Sequence, residues 1–429
     1  MTTTATDLST QVWPGLTPRL LRNDRVPEDL ADYTRTGGYQ DLDDPDALLG
    51  EIAAARLLGR GGAAFPLAVK LRTVRAAHLA GRPTVIVANG EEGEPASVKD
   101  RWLLRNRPHL VLDGLRLAAR IVGADRAYVY VSDPHAATAV ESALAAIENA
   151  PAITVVTVSP AYIAGEESAA VRVINGGPAK PTDKPPRVFE EGVAGLPTLV
   201  SNVETLAHLP HILRHGADSF RSVGTEASPG TFLATITGAG KAPVLYELPH
   251  GTPITELLTL HGVSPGDVSG LLMGGYFAGL LGPDAVSAEL DHESLRALGS
   301  GLGCGAVAVL TSDCPVAVAA SVLDYFDREN AGQCGSCFNG TAAMAAVTGA
   351  LRDGTATTED LTRLQRWSVV LRGRGACATL DGAANIAASL LAHFPDLVQA
   401  HLGGSCDSCR TFEARRPYEV EAIEAVEAR

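Results

Sequence analysis

Short apolar runs alternate along the first half of the chain with longer stretches whose apolar residues recur at helical spacing. Three of the runs, TVIVAN (84–89), AYVYV (127–131) and ITVVTV (153–158), are rich in β-branched and aromatic residues. Strands of this kind that alternate with amphipathic helices are typical of a parallel, doubly wound sheet. We therefore predict an α/β domain over residues 45–230.

The pattern changes in the second half of the chain. The segments TFLATITG, VLYELPHGTPITELLTLHG and LLMGGY predict two short strands, a helix and another strand, which fit a small α+β module. Four later stretches rich in Ala and Leu have helical spacing and predict a bundle. The expected organisation is an irregular arm over 1–44, the α/β domain over 45–230, the small domain over 231–310, the bundle over 311–403 and a C-terminal tail with a CxxC pair over 404–429.

Composition narrows the function classes. The 429 residues carry 35 Lys and Arg against 49 Asp and Glu, a net charge of −14, and no dense basic segment. Nucleic acid and anionic membrane both attract a basic field, so neither is expected as a partner. The start, MTTTATDLSTQVWPG, lacks the apolar core of a signal peptide, and no stretch approaches the roughly 20 apolar residues of a membrane span. These features predict a cytoplasmic protein without direct membrane insertion.

A glycine-rich segment, GRGGAAFP, lies between two predicted helices. Gly59, Gly61 and Ala64 formally match the dinucleotide fingerprint, but that motif has meaning only after a strand, so we reject it. What remains is a turn that leads into a helix and is flanked by Arg60 and Lys70. Exposed N–H groups, a helix N-terminus and two cations suit a phosphate. The alternative is an ordinary tight turn.

Two acidic turns follow predicted strands. The first lies in ANGEEGEPASVKDR and the second in YIAGEES, and their carboxylates are Glu91, Glu92, Glu94, Glu166 and Glu167. Because the carboxyl ends of parallel strands meet at one edge of a sheet, we expect both turns to converge on one cleft. Ribityl or ribose hydroxyls, or a divalent metal, would accept such charge. The alternative is two solvated surface loops.

The seven cysteines suggest metal or redox chemistry. In the cytoplasm thiols stay reduced, so a CxxC pair is more often a ligand set than a disulfide. Cys334 and Cys337 stand at the entrance to a predicted helix, and Cys377 follows 40 residues later. Thiolates at i and i+3 can face one metal or cluster. Zinc shared by both CxxC pairs and the absence of any metal remain alternatives, and the single Cys304 and Cys314 are expected to be packing residues.

Five segments in order resemble one family. They are GRGGAAFPLAVK, NGEEGEPASVKDR, YIAGEESA, KPP and PTLVSNVETL, and they look like the NADH-binding FMN flavoprotein subunit of respiratory complex I, the 51 kDa or F-subunit family, of which this chain is a divergent member. Related subunits occur in NAD-reducing hydrogenases and formate dehydrogenases. The resemblance covers about residues 45–403. It implies a Rossmann-like FMN-binding α/β domain, then a β-grasp (SLBB-like) domain, then a helical bundle with an iron–sulfur cluster.

The resemblance also implies roles for individual residues. The expected FMN contacts are Arg60, Gly61, Gly62, Lys70, Asn89, Glu91, Gly165, Glu166, Asn202 and Thr205. Glu94, Glu167 and Lys184 would serve NADH, with Glu94 and Glu167 as the catalytic pair. Carboxylates that accept ribose hydroxyls repel a 2′-phosphate, which favours NADH over NADPH. The implied reaction is hydride transfer from NADH to FMN, followed by single electrons through the cluster to a ferredoxin or a thioredoxin-like iron–sulfur subunit.

The cluster motif departs from the family pattern. Cys334, Cys337 and Cys377 match three expected ligands, but Ala331 stands where the family has its first cysteine. Three thiolates can hold a [3Fe–4S] cluster, or a [4Fe–4S] cluster with a foreign fourth ligand. The terminal pair, Cys406 and Cys409, is a candidate for that ligand.

Two further departures concern the nucleotide. Val74 and Arg187 stand where family members usually carry phenylalanines near the nucleotide. Together with Ala331, they leave open a flavin-binding or structural relative that has lost NADH oxidation. The two CxxC pairs leave open a zinc-stabilised protein without redox function.

Overall fold

A computed structural model describes residues 8–22, 27–148 and 152–420. Parts of the predicted arm, residues 1–7 and 23–26, and the last nine residues of the predicted tail lie outside this description. The described arm contains strand β1 (Ser9–Val12) and helix α1 (Leu30–Arg35).

The α/β domain follows the predicted alternation of helices and strands. Its elements are α2 (Pro45–Ala54), α3 (Leu67–Leu79), β2 (Thr84–Asn89), α4 (Lys99–Asn106), α5 (Pro108–Val122), β3 (Ala124–Val131), α6 (Pro134–Ala146), β4 (Ile153–Thr157), α7 (Glu167–Ile174), β5 (Thr198–Asn202), α8 (Val203–Ala207) and α9 (Leu209–Arg221). Asp44 caps α2 by accepting the N–H groups of Asp46 and Ala47. Helix α5 ends at Gly123, whose left-handed backbone suits glycine.

The four strands of this domain form one parallel sheet, as predicted from the first three, and their order is β4-β3-β2-β5. The chain moves outward from β2 to β3 and β4, then returns and adds β5 on the other side of β2. The strand order therefore reverses between β2 and β5. Their last residues, Asn89 and Asn202, are paired. Open α/β sheets bind ligands at such a switch point, beyond the carboxyl ends of the strands.

A second, mixed sheet follows. Its domain contains β6 (Thr231–Gly238), β7 (Val244–Pro249), β8 (Thr252–Pro253), α10 (Ile254–Leu260), β9 (Gly270–Met273), β10 (Leu280–Leu281), β11 (Glu289–Leu290), α11 (His292–Ala297) and β12 (Ala306–Leu310). Six strands are ordered β1-β7-β6-β12-β9-β10, and β8 pairs with β11 separately. The apolar faces of the sheet and of α10 share one buried core.

The N-terminal arm is attached to this sheet, and its described residues are irregular apart from β1 and α1. Strand β1 pairs in parallel with the start of β7. The buried carboxylate of Glu247 on β7 accepts the backbone N–H groups of Arg19, Leu20 and Leu21 at 2.9–3.1 Å. It also accepts the Thr231 hydroxyl at 3.0 Å. One buried carboxylate thus holds the arm against the sheet.

The C-terminal region is helical, as the Ala- and Leu-rich pattern predicts. Its helices are α12 (Pro315–Glu329), α13 (Gly335–Arg352), α14 (Thr358–Val370), α15 (Thr379–His393), α16 (Pro395–Ala400) and α17 (Asp407–Thr411). They pack around a core that includes Val316, Phe326, Met344 and Leu380. Of the helices in the described residues, none has both the length and the apolar content needed to cross a membrane.

The last described segment returns to the first two domains. The Tyr276 hydroxyl donates to the carbonyl of Pro417 at 2.6 Å, and the N–H of Val420 donates to the carbonyl of Pro95 at 3.0 Å. The Tyr418 hydroxyl donates to Asp313 at 2.7 Å. Residues 417–420 therefore contact all three regions of the chain.

The Glu247 contact predicts a large effect on stability. Glu247→Ala would leave several buried N–H groups without acceptors, so we expect the free energy of unfolding to fall by about 3 kcal/mol. Glu247→Gln retains one oxygen and should cost about half as much. The matched control is Glu256→Ala on the exposed face of α10, expected within about 0.5 kcal/mol of wild type. Urea denaturation measures all three, and equal effects of Glu247→Ala and Glu256→Ala would contradict the assignment.

Candidate cofactor and metal sites

The ends of β2 and β5 form the base of a candidate cofactor cleft. The Asn89 amide donates to the carbonyl of Gly165 at 2.8 Å, which ties the end of β2 to the second acidic turn. The Asn202 amide donates to Asp100 at 2.7 Å, and its oxygen accepts the N–H of Glu204 at 3.0 Å. Both predicted asparagines thus stand side by side at the switch point and connect strands to turns.

The glycine-rich turn lies against the end of β5. Gly61 is so close to Asn202 that an added Cβ would stand 3.2 Å from the Asn202 Cβ, and Gly62 has a φ of +108°. The N–H of Gly59 closes the turn on the carbonyl of Phe65 at 2.9 Å. Ala64 also has a positive φ, +51°. The turn therefore presents its backbone at the switch point and leads into α3, as the sequence predicts.

Arg60 turns away from the cleft. Its backbone N–H donates to the Thr205 hydroxyl at 2.8 Å. Its guanidinium donates to the carbonyls of Leu58 and Thr231 at 3.0 and 3.1 Å and lies 3.9 Å from Glu204. Burial lowers the pKa of Arg60 to about 10, although the Glu204 charge opposes this shift. The side chain serves the junction with the second sheet, so a contact of Arg60 with a ligand would come from its backbone.

A buried ion cluster holds the end of β5 in place at the base of the cleft. It was not identified from the sequence. The Lys99 ammonium lies 2.7 Å from Asp100 and 3.0 Å from Glu204, and all three side chains are at most 6% exposed. Burial alone would lower the pKa of Lys99, but the two carboxylates raise it above its ordinary value. Glu204 also accepts the N–H of Leu233 on β6 at 2.9 Å. The only sequence signal was a Lys-Asp pair directly after an acidic turn.

The two acidic turns converge, as expected. A Cβ on Gly93 would lie 2.7 Å from the carbonyl oxygen of Ala161 and 2.8 Å from the Cα of Tyr162. A Cβ on Gly165 would lie 2.5 Å from the Glu91 carboxylate. Only glycine allows this approach, so the two turns form one wall of the cleft.

Glu91 is the unsatisfied group of this wall. Its side chain is buried, and neither carboxylate oxygen has a hydrogen-bond partner. Burial raises the pKa of Glu91 to about 8, and the charge of Glu92 adds to the rise. The N–H groups of Ala161 and Gly93 and the Ser132 hydroxyl lie near enough to oppose this rise in pKa, although none of them makes a well-formed hydrogen bond to Glu91. A buried carboxyl without donors is costly, so its position fits a ligand that brings hydroxyl groups.

The other carboxylates of the first turn have partners. Glu92 accepts the Ser97 hydroxyl at 2.6 Å and the N–H of Arg101 at 3.1 Å, at the start of α4. Glu94 accepts the N–H of Tyr276 at 3.0 Å and so joins this turn to the second sheet. Burial raises the pKa of Glu94 to about 8. Glu92 is therefore structural, and Glu94 stands where two domains meet.

Four predicted residues form an ion-pair group at the cleft. Lys70 lies 3.3 Å from Glu167, and Lys184 lies 2.6 Å from Glu166 and 3.8 Å from Glu167. Glu166 caps α7 by accepting the N–H groups of Ser168 and Ala169. The side chains of the four are between 19% and 35% exposed, so solvent or a ligand can reach them. The structure thus unites residues from helix α3, the second acidic turn and the KPP segment.

The three predicted cluster ligands also come together. Cys334, Cys337 and Cys377 line one small pocket, and Ala331 lines it with them. Cys334 is the N-cap of α13, and its sulfur accepts the N–H of Ala376 at 3.4 Å. Three cysteines that line one pocket fit a cluster that takes three ligands from the protein.

The loop beside this pocket contacts the α/β domain. Lys180 donates to the carbonyl of Ala331 at 2.8 Å, and Gln333 donates to the carbonyl of Pro181 at 2.8 Å. Arg172 on α7 donates to the Gln333 side chain at 3.2 Å. Because α7 begins at Glu167, one short helix connects the cleft with the cysteine pocket.

Cys406 and Cys409 do not join the first three cysteines. Their sulfurs lie with those of Cys314 and the His401 ring, and the four ligand atoms are all within 4.8 Å of one another. The hypothesis that the terminal pair supplies a fourth cluster ligand is therefore wrong. Zinc shared by both CxxC pairs is excluded for the same reason. Cys314 is buried in the core of the bundle, as expected of a packing residue, and its sulfur also lies in this group.

Comparisons with known proteins identify the family. Residues 52–211 match the family described as Nuo51 FMN-binding domain, and residues 317–401 match the NADH-ubiquinone oxidoreductase-F iron-sulfur binding region. The NADH-quinone oxidoreductase F 2 subunit of Rhizobium meliloti is 35% identical over 412 residues, which span 90% of this chain and 97% of that protein. The chain belongs to the NADH-quinone oxidoreductase F-subunit family.

Two further similar proteins support the assignment to the F-subunit family. The F subunit of Streptomyces coelicolor NADH-quinone oxidoreductase is 30% identical over 87% of this chain and 88% of its own length. A crystal structure of an NAD+-reducing [NiFe]-hydrogenase in the H2-reduced state has a TM-score of 0.78 at 30% identity, over 88% of this chain and 67% of that chain. The FMN-binding match covers the parallel sheet with its cleft, and the iron–sulfur match covers the helices around the three-cysteine pocket.

Two departures from the F-subunit pattern have different structural settings. Val74 is buried in the core of the α/β domain, so it is not a position from which a side chain reaches a ligand. Arg187 is exposed near Lys184. Two aromatic side chains close in sequence to Lys70 and Lys184 are also exposed: Phe65 is 47% exposed and Phe189 is 37% exposed. Neither ring was singled out as a candidate site residue from the sequence.

The Glu91 environment predicts a pH dependence of the flavin-free protein. Folded Glu91 keeps its proton up to about pH 8, whereas the unfolded carboxyl loses it near pH 4.3, so folding takes up a proton between these values. Stability should therefore fall as pH rises through this window, by up to about 1.4 kcal/mol per pH unit from Glu91. Urea denaturation from pH 5 to 8 should show a shallower slope for Glu91→Gln. The exposed Glu141→Gln should keep the wild-type slope, and identical slopes in all three proteins would contradict the assignment.

Proposed function

We propose that this chain takes a hydride from NADH onto bound FMN and passes the electrons singly, through an iron–sulfur cluster, to a partner protein. The observation that carries the proposal is the buried Glu91 carboxyl, whose oxygens make no well-formed hydrogen bond within the described chain and which follows the end of β2 at the switch point of the parallel sheet. A ligand that carries hydroxyl groups, such as the ribityl chain of FMN, would satisfy it.

In this proposal the three regions divide the work. Residues 45–230 are the Rossmann-like FMN-binding domain, 231–310 a β-grasp (SLBB-like) domain and 311–403 the iron–sulfur bundle. The parallel sheet and its switch point support the first assignment. The mixed sheet packed on α10 supports the second, and the three-cysteine pocket between helices supports the third.

The FMN site combines backbone groups with a few side chains. Gly61, Gly62, Gly165 and the backbone of Arg60 would approach the cofactor closely, because no side chain intervenes there. Side-chain contacts would come from Lys70, Asn89, Glu91, Glu166, Asn202 and Thr205. FMN accepts a hydride as an electron pair and releases electrons one at a time. The protein's part is to orient the ring and satisfy its polar groups.

Glu94, Glu167 and Lys184 are assigned to NADH. Glu167 lies between Lys70 and Lys184, so a ribose hydroxyl that reaches it would replace part of an existing ion pair. Glu94 is held by the N–H of Tyr276 at the boundary of the second sheet. Both carboxylates would accept ribose hydroxyls and repel a 2′-phosphate, which favours NADH.

The cluster is assigned to Cys334, Cys337 and Cys377, and Ala331 gives no fourth protein ligand at the expected place. A [3Fe–4S] cluster needs only three thiolates, and a [4Fe–4S] cluster would need a ligand from outside this motif. The contacts of Arg172 and Lys180 with the loop 331–333 put this pocket beside the α/β domain. A ferredoxin or a thioredoxin-like iron–sulfur subunit is the expected electron partner.

The proposal predicts rapid reduction of a bound flavin. Protein is purified without oxygen, loaded with FMN and mixed with NADH in a stopped-flow instrument. Its visible flavin absorbance should be lost during the measurement. Glu167→Gln should retain FMN but weaken NADH affinity about tenfold, because one charge-assisted hydrogen bond is lost. Glu141→Gln is the control and should match wild type. Flavin that binds but is not bleached by NADH would favour a structural relative without NADH oxidation.

The cluster assignment predicts the result of restoring the missing ligand. Ala331→Cys should raise the iron content from about three to about four per chain, because a fourth thiolate then faces the pocket. By electron paramagnetic resonance, the oxidised wild-type protein should show the signal of a [3Fe–4S] cluster. Oxidised Ala331→Cys should show no such signal, because an oxidised [4Fe–4S] cluster gives none. Cys334→Ser should lose the cluster, and Cys304→Ser should not. Four irons already present in wild type would show that a ligand from elsewhere completes the cluster.

A further inference from the structure

We propose that Cys314, His401, Cys406 and Cys409 form a second metal centre, a tetrahedral zinc site that is separate from the iron–sulfur pocket. Cys314 is the N-cap of α12, and His401 is the C-cap of α16. Cys406 is the N-cap of α17, and Cys409 lies within that helix. Chain segments far apart in sequence thus bring four soft or borderline ligand atoms to one point.

The spacing of the ligand atoms fits one ion. The His401 Nε2 atom lies 3.6 Å from the Cys314 sulfur and 3.3 Å from the Cys409 sulfur, and all four atoms are within 4.8 Å of one another. Zinc–sulfur and zinc–nitrogen bonds of usual length place tetrahedral ligands about 3.6–3.8 Å apart. Ligands of a multi-iron cluster bind different irons and lie further apart. The geometry therefore favours a single ion.

The orientation of His401 is that of a ligand. Its Nδ1 atom lies 2.7 Å from the carbonyl of Leu397, to which it donates, so the Nε2 lone pair faces the sulfurs. Metal-binding histidines commonly have their second ring nitrogen held by a backbone carbonyl in this way. The ring is only 2% exposed, which means that its polar atoms have no solvent to satisfy them.

The cysteine segments are held in place by the surrounding backbone. The Ser408 hydroxyl accepts the N–H of Cys314 at 3.0 Å and donates to the carbonyl of Ser312 at 3.1 Å. The Cys406 sulfur accepts the N–H of Cys409 at 3.4 Å. The site is therefore fixed by bonds that do not involve the metal.

The ligand chemistry identifies the metal class. Three cysteines and one histidine are a common set for structural zinc, and four protein ligands leave no open position for substrate. Cys314 and Cys409 are buried and Cys406 is half-buried, so the ion would be shielded from water. Three thiolates and Zn²⁺ leave one negative charge, and the Arg352 charge interacts with the Cys409 sulfur. The inferred role is structural: the ion attaches the segment after α16 to the bundle.

Metal analysis tests this site independently of the flavin. Full-length protein from cells grown with added zinc should contain about one zinc per chain. The Cys406→Ser, Cys409→Ser double variant should contain at most about a tenth of that amount, with its flavin and iron retained. Cys334→Ser should lose iron and keep zinc, and Cys304→Ser is the matched control that should keep both.

X-ray absorption at the zinc edge of the wild-type protein gives a measurement that does not depend on whether a variant folds. The expected first shell is three sulfurs and one nitrogen. Wild-type protein without zinc, a disulfide between any two of the three cysteines, or zinc that remains in the double variant would each overturn the proposal. Zinc that disappears with Cys334→Ser would assign it to the other pocket and would also overturn it.

Discussion

The buried ion cluster of Lys99, Asp100 and Glu204 is the constraint on which the cleft depends. Charges removed from water are tolerated only when they are paired and hydrogen-bonded, so their positions are strongly coupled. Asp100 holds Asn202 at the end of β5, and Glu204 holds the N–H of Leu233 on β6. The same group therefore fixes the end of the parallel sheet and the attachment of the second sheet. The backbone of the glycine turn rests on it through neighbouring Thr205.

Much of the fold could be predicted, because its strands and helices carry strong local signals. The apolar run at Thr84–Asn89 is almost entirely buried, and its neighbours have clear helical spacing, so a parallel sheet followed directly. Strand β1 at Ser9–Val12 could not be predicted in the same way. Its four residues, STQV, are mixed in polarity, and the strand exists because it pairs with β7 more than 230 residues later. Such long-range pairing leaves no local pattern.

The candidate site was predictable where strand ends determine it. The convergence of the two acidic turns followed from parallel strands, and the pocket of Cys334, Cys337 and Cys377 followed from family spacing. The Arg60 side chain points away from the cleft, towards Glu204, which lies 144 positions later in the chain. The residue pattern near the glycine turn therefore could not predict this orientation. The grouping of Cys314 with His401 was hidden for the same reason, since Cys314 lies 87 positions before His401, although His401 itself is close in sequence to Cys406 and Cys409.

The contacts of residues 417–420 have a consequence for how the protein loses activity. This short segment touches Tyr276, whose backbone holds Glu94, and it also touches Pro95 in the same turn. Its path begins at the Cys406–Cys409 turn, which is bonded to the N-terminus of α12. Release of that turn would loosen Tyr276 and, through it, Glu94 at one wall of the cleft, while the residues assigned to FMN keep their own contacts. Damage at the C-terminus would then resemble a fault in nucleotide binding, although the chemistry itself would be intact.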